Sequence, residues 1–208
     1  SANYTVTQPT GLTANITAIA ITVTATGPTK NYGTALTIGA STTNFTVSGT
    51  LVSGESLTSV TLTPNAAGTT ATTAAGSTYT VTPSLATGTG GFLASNYTIT
   101  YTAYTGTVGK RPLSVTSPTI ASKVYNGLST SGTVTVGTLS GFYSTETLTA
   151  TAVGTYSDGN VGTGKTATVV YTLVSGTGTA SNYSLADGTA TGNITAAPLT
   201  ITGVTASN

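Results

Sequence analysis

The 208-residue sequence contains no cysteine, histidine, methionine or tryptophan, and only 4% of its residues are charged. Without Cys or His, thiolate and imidazole metal sites, Cys nucleophiles and His-based proton transfer are excluded from these residues. The missing cysteines also exclude disulfides, but they do not fix a compartment. Five Lys and Arg against four Asp and Glu leave a net charge of +1, and Lys110-Arg111 is the only adjacent basic pair. A surface that neutralises phosphates needs a basic cluster, so no nucleic-acid partner is expected. No apolar run approaches the ~18 residues that span a bilayer, so no membrane span is expected in this segment. With so little charge, hydroxyls must do much of the solvating. The chain starts at Ser1 with neither Met nor a charged-then-apolar leader, which leads us to expect an internal or processed piece.

What the sequence has is Thr, its commonest residue, 26 glycines, and Val, Ile and Tyr as bulk. This is a β-favouring vocabulary with little for helices. A recurring stretch phases it. Asn3, Asn96 and Asn182 align, each followed by Tyr, and further on Ile16, Val108 and Ile194 align, 92 and 86 residues apart. That period suits one small domain per repeat rather than a solenoid. The boundaries read as 1–17, the last strands of a preceding repeat; 18–109, a first full repeat; 110–195, a second; and 196–208, the first strand of a following one. Short alternating runs are expected as strands at Tyr4 to Thr7, Asn15 to Thr17, Ile19 to Val23, Phe45 to Leu51, Leu57 to Leu62 and Tyr79 to Thr82. In the second repeat they fall at Thr133 to Leu139, Thr147 to Ala152 and Thr166 to Leu173. Six or seven such strands per repeat predict an all-β chain of tandem immunoglobulin-like β-sandwich domains. Linkers as short as Gly109-Lys110-Arg111-Pro112 predict abutting domains and an extended rod.

Candidate chemistry is sparse. The four acids are Glu55, Glu146, Asp158 and Asp187. The two Glu occupy equivalent places in the two repeats and the two Asp precede Gly in turns, so neither a paired acid–base site nor a calcium cluster is expected. Ser122-Lys123 lacks the strained elbow of a serine nucleophile. Six Asn-x-Ser/Thr triplets, at Asn3, Asn15, Asn44, Asn96, Asn182 and Asn193, are glycan-acceptor patterns of the kind a Thr-rich chain generates by chance. Tyr101, Tyr104 and Tyr143 are candidate stacking platforms for a glycan. No cofactor is implied.

Lys-Val-Tyr-Asn-Gly at 123–127, Gly-Thr-Leu-Ser-Gly at 137–141, Gly-Asn-Val-Gly-Thr-Gly-Lys at 159–165 and Ser-Asn-Tyr-Ser-Leu at 181–185 resemble the YDG-type repeat of bacterial surface adhesins, with Asn126 at the central Asp. The first repeat, with Ala-Ile-Thr-Val-Thr-Ala at 20–25 and Lys-Asn-Tyr-Gly at 30–33, is similar to the related MBG-type repeat. The resemblance implies an extracellular stalk or filament segment at the bacterial cell surface, with adjacent repeats of the same chain as partners and a distal ligand elsewhere. It implies no catalytic residue. One set recurs in both repeats: Lys30, Glu55 and Asn96, then Lys123, Glu146 and Asn182. In some bacterial surface sandwiches these residue types join Lys to Asn as an isopeptide with Glu assisting. The alternative is a Lys–Glu ion pair with Asn shaping a turn. A second functional expectation is a self-assembling filament subunit, whose strands at 1–17 complete the sheet of a neighbouring copy.

Overall fold

Alternation of apolar and hydroxyl residues marks the longer strands of this chain. In the computed structural model, which describes residues 3–203, β1 (Ile19–Ala25) buries Ile21, Val23 and Ala25 and turns Thr22 and Thr24 the other way. Burying each Ile or Val contributes about 1.5–3 kcal/mol. Then come β2 (Gly39–Ser41), β3 (Phe45–Gly49), β4 (Ser56–Pro64), β5 (Thr78–Thr89), β6 (Tyr97–Thr102) and β7 (Tyr104–Thr107), and the alternation is clearest in β4, β5 and β6. Then follow β8 (Arg111–Pro112), β9 (Ser114–Val115), β10 (Thr119–Ile120), β11 (Lys123–Val124), β12 (Val134–Thr135), β13 (Leu139–Ser140), β14 (Leu148–Tyr156), β15 (Gly162–Ser175), β16 (Tyr183–Ser184) and β17 (Gly188–Thr195). Helix among the described residues is one four-residue turn, α1 (Ala66–Thr69), and two 3-10 turns at Ala94–Asn96 and Ala180–Asn182. The chain is all-β. No helix among the described residues is long and apolar enough to cross a membrane.

The chain divides into two compact units. Unit 1 holds residues 3–28, Leu36–Thr69 and Tyr79–Gly106, and unit 2 holds Thr29–Ala35, Thr70–Thr78 and residues 107–203. The sequence of the first repeat therefore supplies two segments, 29–35 and 70–78, to the second unit.

Unit 1 contains a three-stranded sheet ordered β3-β1-β6 and a four-stranded sheet ordered β2-β4-β5-β7. Their buried faces carry Ile21 and Val23 on one, and Val60, Leu62, Tyr79 and Val81 on the other. The Tyr79 hydroxyl donates to Pro28 O at 2.9 Å, so its ring can fill the interior without stranding a polar atom. Unit 2 repeats these pairings. Parallel β1·β6, with Ile19 opposite Tyr97, is matched by parallel β8·β16, with Arg111 opposite Tyr183. Antiparallel β1·β3 is matched by β9·β13, and β4·β5 by β14·β15. The largest sheet of unit 2 is ordered β11-β17-β15-β14, and Tyr156, Ala167 and Ile194 form a core cluster against Ile120.

One expectation needs correction. Residues 3–18 form no strand, although Tyr4 to Thr7 and Asn15 to Thr17 carry strand-like patterns. Tyr4, Val6, Leu12 and Ile16 are all at least four-fifths exposed. An isolated pair of short strands is marginal in water, and no third strand among the described residues lies against these two. The segment at 196–203 is likewise outside any strand, and the remainder of that expected strand lies outside the described residues.

Candidate functional site

Each repeat positions its glutamate with a four-residue turn. Glu55 N–H donates to Val52 O at 3.0 Å, and Glu146 N–H to Tyr143 O at 3.1 Å. The left-handed residue that reverses the chain is Gly54 in the first turn and Ser144 in the second. The tyrosine that follows each 3-10 turn then locks the geometry. The Tyr97 hydroxyl accepts Val52 N–H at 3.0 Å and donates to Glu55 Oε2 at 2.5 Å. The Tyr183 hydroxyl accepts Tyr143 N–H at 3.1 Å and donates to Glu146 Oε2 at 2.5 Å. A single phenol thus ties the first residue of the turn to the last, through a short bond to a carboxylate of the stronger, charge-assisted kind.

Unit 2 adds a second phenol. Tyr32, in the 29–35 segment, donates to Glu146 Oε1 at 2.5 Å, and its ring lies edge-on to Tyr143 and Tyr183 at centroid distances of 5.8 and 5.5 Å. From the 70–78 segment, Ala75 N–H donates to Asn182 Oδ1 at 3.0 Å. Both Tyr32 and Asn182 are buried. The bond to Glu146, followed by burial, pushes the Tyr32 phenol up to about 12, with Asn182 opposing. Burial and then Glu146 raise Tyr183, and the Glu55 bond raises Tyr97.

The Tyr32 shift has a consequence in alkali. Its folded value lies above the 10.0 of an unperturbed tyrosine, so the native chain keeps a proton that the unfolded chain releases. The stabilisation is complete below about pH 10 and is lost as pH rises towards about 12. Thermal midpoints measured across that window should fall for the natural chain and fall less steeply for Tyr32→Phe, which has no phenol to ionise. Identical slopes in the two proteins would refute the assignment.

The six residues of the recurring Lys–Glu–Asn sets are distributed as follows. Lys30 is buried in unit 2, where its ammonium donates to Thr70 O at 2.7 Å and burial lowers its pKa. Glu55 and Asn96 belong to unit 1, where Asn96 is exposed at the end of its 3-10 turn. In unit 2, Glu146 and Asn182 converge on Tyr32 and Tyr183, whereas Lys123 spends its three donors on Asn126 Oδ1, Leu128 O and Thr130 O at 2.9, 2.6 and 2.7 Å. What the structure brings to each glutamate is tyrosine.

The remaining candidates serve packing or turns. Tyr101 accepts Ala86 N–H at 3.0 Å, Tyr104 lies edge-on to Tyr79, and Tyr143 lies edge-on to Tyr32. A shallow cleft of about 780 Å³ in unit 2 is lined by Thr155, Tyr156, Ser157, Asp158, Lys165, Thr166 and Thr168. Its two charges, Lys165 and Asp158, pair at 2.5 Å. Among the described residues no group of three or more His, Cys, Asp or Glu could hold a metal ion.

Sequence reasoning missed Tyr32, Tyr97 and Tyr183 as carboxylate partners. The signal was present in a chain with four acids: two of them occupy equivalent places, and each repeat supplies one tyrosine directly after an aligned asparagine.

Compared with known proteins, residues 109–192 match the YDG domain, a repeat-type domain family. No curated protein and no solved structure matches the chain.

Proposed function

We propose that this chain is a non-catalytic structural segment of a large secreted bacterial cell-surface adhesin or filament, spacing a distal binding region from the cell. The observation that carries the reading is the duplicated Glu–Tyr lock. Two successive repeats spend their equivalent glutamates on holding a turn to a strand, which is a structural use of the chain's scarcest chemistry. The YDG domain supports a tandem-repeat context, and the resemblance of the first repeat to the MBG type extends it. In this reading each unit is an immunoglobulin-like β-sandwich, the units succeed one another along an extended rod, and threonine hydroxyls hydrate a surface that salt and pH scarcely perturb.

The test is to image the native molecule with an antibody against unit 2 as marker. Label spaced along an extended extracellular structure of similar beads is the expected result. Label inside the cell, or on a compact solitary particle, overturns the proposal. Exposed Tyr4, Val6, Leu12 and Ile16 favour one second reading, a self-assembling subunit in which residues 3–18 add strands to a neighbour. The same images would then show separate copies joined through that segment.

A further inference from the structure

One loop occurs twice in this chain, once seated and once bare. Tyr32 N–H donates to Gly109 O at 2.9 Å and Tyr125 N–H to Thr195 O at 2.8 Å. Asn31 bridges Gly109 in parallel as Val124 pairs with Thr195. The two loops therefore hang from equivalent strand ends in the same register up to the tyrosine, and each then turns through a left-handed glycine, Gly33 directly after Tyr32 at φ 83° and Gly127 one residue later, beyond Asn126, at φ 78°. Their surroundings differ. Tyr32 is 5% exposed with its hydroxyl on Glu146, whereas Tyr125 is 44% exposed and its hydroxyl makes no hydrogen bond among the described residues. Beside Tyr125, Val124 and Leu128 are more than half exposed.

The receiving site also occurs twice, in the converse sense. Glu146 has one oxygen on Tyr183 and the other on Tyr32. Glu55 likewise closes a four-residue turn, left-handed at its third residue where the Glu146 turn is left-handed at its second, and meets the equivalent tyrosine, Tyr97, but only its Oε2 is engaged; Oε1 accepts nothing among the described residues. Asn96 is exposed where Asn182 is buried, and Val52 is exposed where Tyr143 packs on Tyr32. Unit 1 thus presents an open socket, and unit 2 a plug of matching chemistry.

We infer that Tyr125 of one copy of this chain docks at Glu55 of a second copy, its phenol donating to Oε1 as Tyr32 donates to Glu146. Exposed Val124 and Leu128 beside the plug meet exposed Val52, the first residue of the turn that holds Glu55. Plug and socket are different patches of one molecule, so the contact is head-to-tail and extends into a series unless a ring closes it. The inference goes beyond the structural reading above, since it specifies which side chains join one copy to the next.

Sedimentation velocity of the full chain at concentrations up to about 1 mM tests it. The natural chain should associate with rising concentration. Tyr125→Phe and Glu55→Gln should each weaken that association about tenfold, as loss of a hydrogen bond to a charged group does. An equimolar mixture of the two variants should recover heterodimers, because Glu55→Gln copies keep the plug and Tyr125→Phe copies keep the socket. Tyr125→Phe changes only an exposed loop, so it remains informative if Glu55→Gln fails to fold. A natural chain that stays monomeric throughout, association that Tyr125→Phe does not weaken, or a mixture that recovers nothing overturns the inference and leaves the structural reading standing.

Discussion

Glu146→Ala is expected to destabilise unit 2 by about 3 kcal/mol, because one substitution removes the acceptor of two phenols. Each bond is charge-assisted and part-buried, of a type whose loss costs about 1.5–3 kcal/mol. The sum is less than two full losses, because both hydroxyls regain some water once the carboxylate is gone. In a domain of this size such a change lowers the thermal midpoint by more than about 10 °C. Calorimetry should show a clearly larger drop for Glu146→Ala than for Glu55→Ala, whose carboxylate holds the single phenol of Tyr97. Equal drops would mean that Tyr32 adds nothing to the lock.

The second large effect belongs to Gly33. Its φ of 83° is left-handed, a conformation that costs any L-residue with a Cβ roughly 1–2 kcal/mol. A Cβ there would also stand 2.8 Å from Tyr143 Cδ2 and 2.9 Å from Arg111 Nη1. The guanidinium can swing aside, but the Tyr143 ring is held edge-on to Tyr32 and must be displaced. Gly33→Ala should therefore cost about 3 kcal/mol, with overpacking added to backbone strain. Gly127→Ala is the control: φ is 78°, but nothing lies within 4 Å of the new methyl, so strain alone remains, about 1–2 kcal/mol. Urea titration of both variants measures the difference, and equal midpoints would show that the Tyr143 wall yields freely.

Much of the fold was legible because half-buried strands write their faces into the sequence. Ile19 to Val23 and Tyr97 to Thr102 alternate as expected, and the structure buries or half-buries Ile21, Val23, Tyr97, Ile99 and Tyr101 while Thr98, Thr100 and Thr102 face water. The run from Thr133 to Leu139 was less transparent. It reads as one strand but forms two, β12 paired with β10 and β13 paired with β9. Between them Gly137 comes so close to Thr116 that a Cβ would stand 2.2 Å from its carbonyl oxygen. Periodicity records which residues face inward, but not which neighbour a strand leaves and which it joins. The candidate site was legible only in part for a related reason. Lys30, Glu55 and Asn96 recur as Lys123, Glu146 and Asn182, yet recurrence gives equivalent places rather than one shared place. Tyr32 reaches Glu146 across 114 residues of chain, a contact that no local spacing encodes.

The parallel pairing of β1 with β6 sets how this chain meets a pull. Six residue pairs, from Ile19 with Tyr97 to Thr24 with Thr102, run side by side in one direction. Tension that draws two such strands in opposite directions loads every bond of the ladder at once, so rupture must break them together. An antiparallel hairpin pulled at its open end parts one bond at a time. In unit 2 the parallel registers β8 with β16 and β11 with β17 are two pairs each, so a pull that shears parallel strands there loads shorter ladders than the six-pair ladder of unit 1.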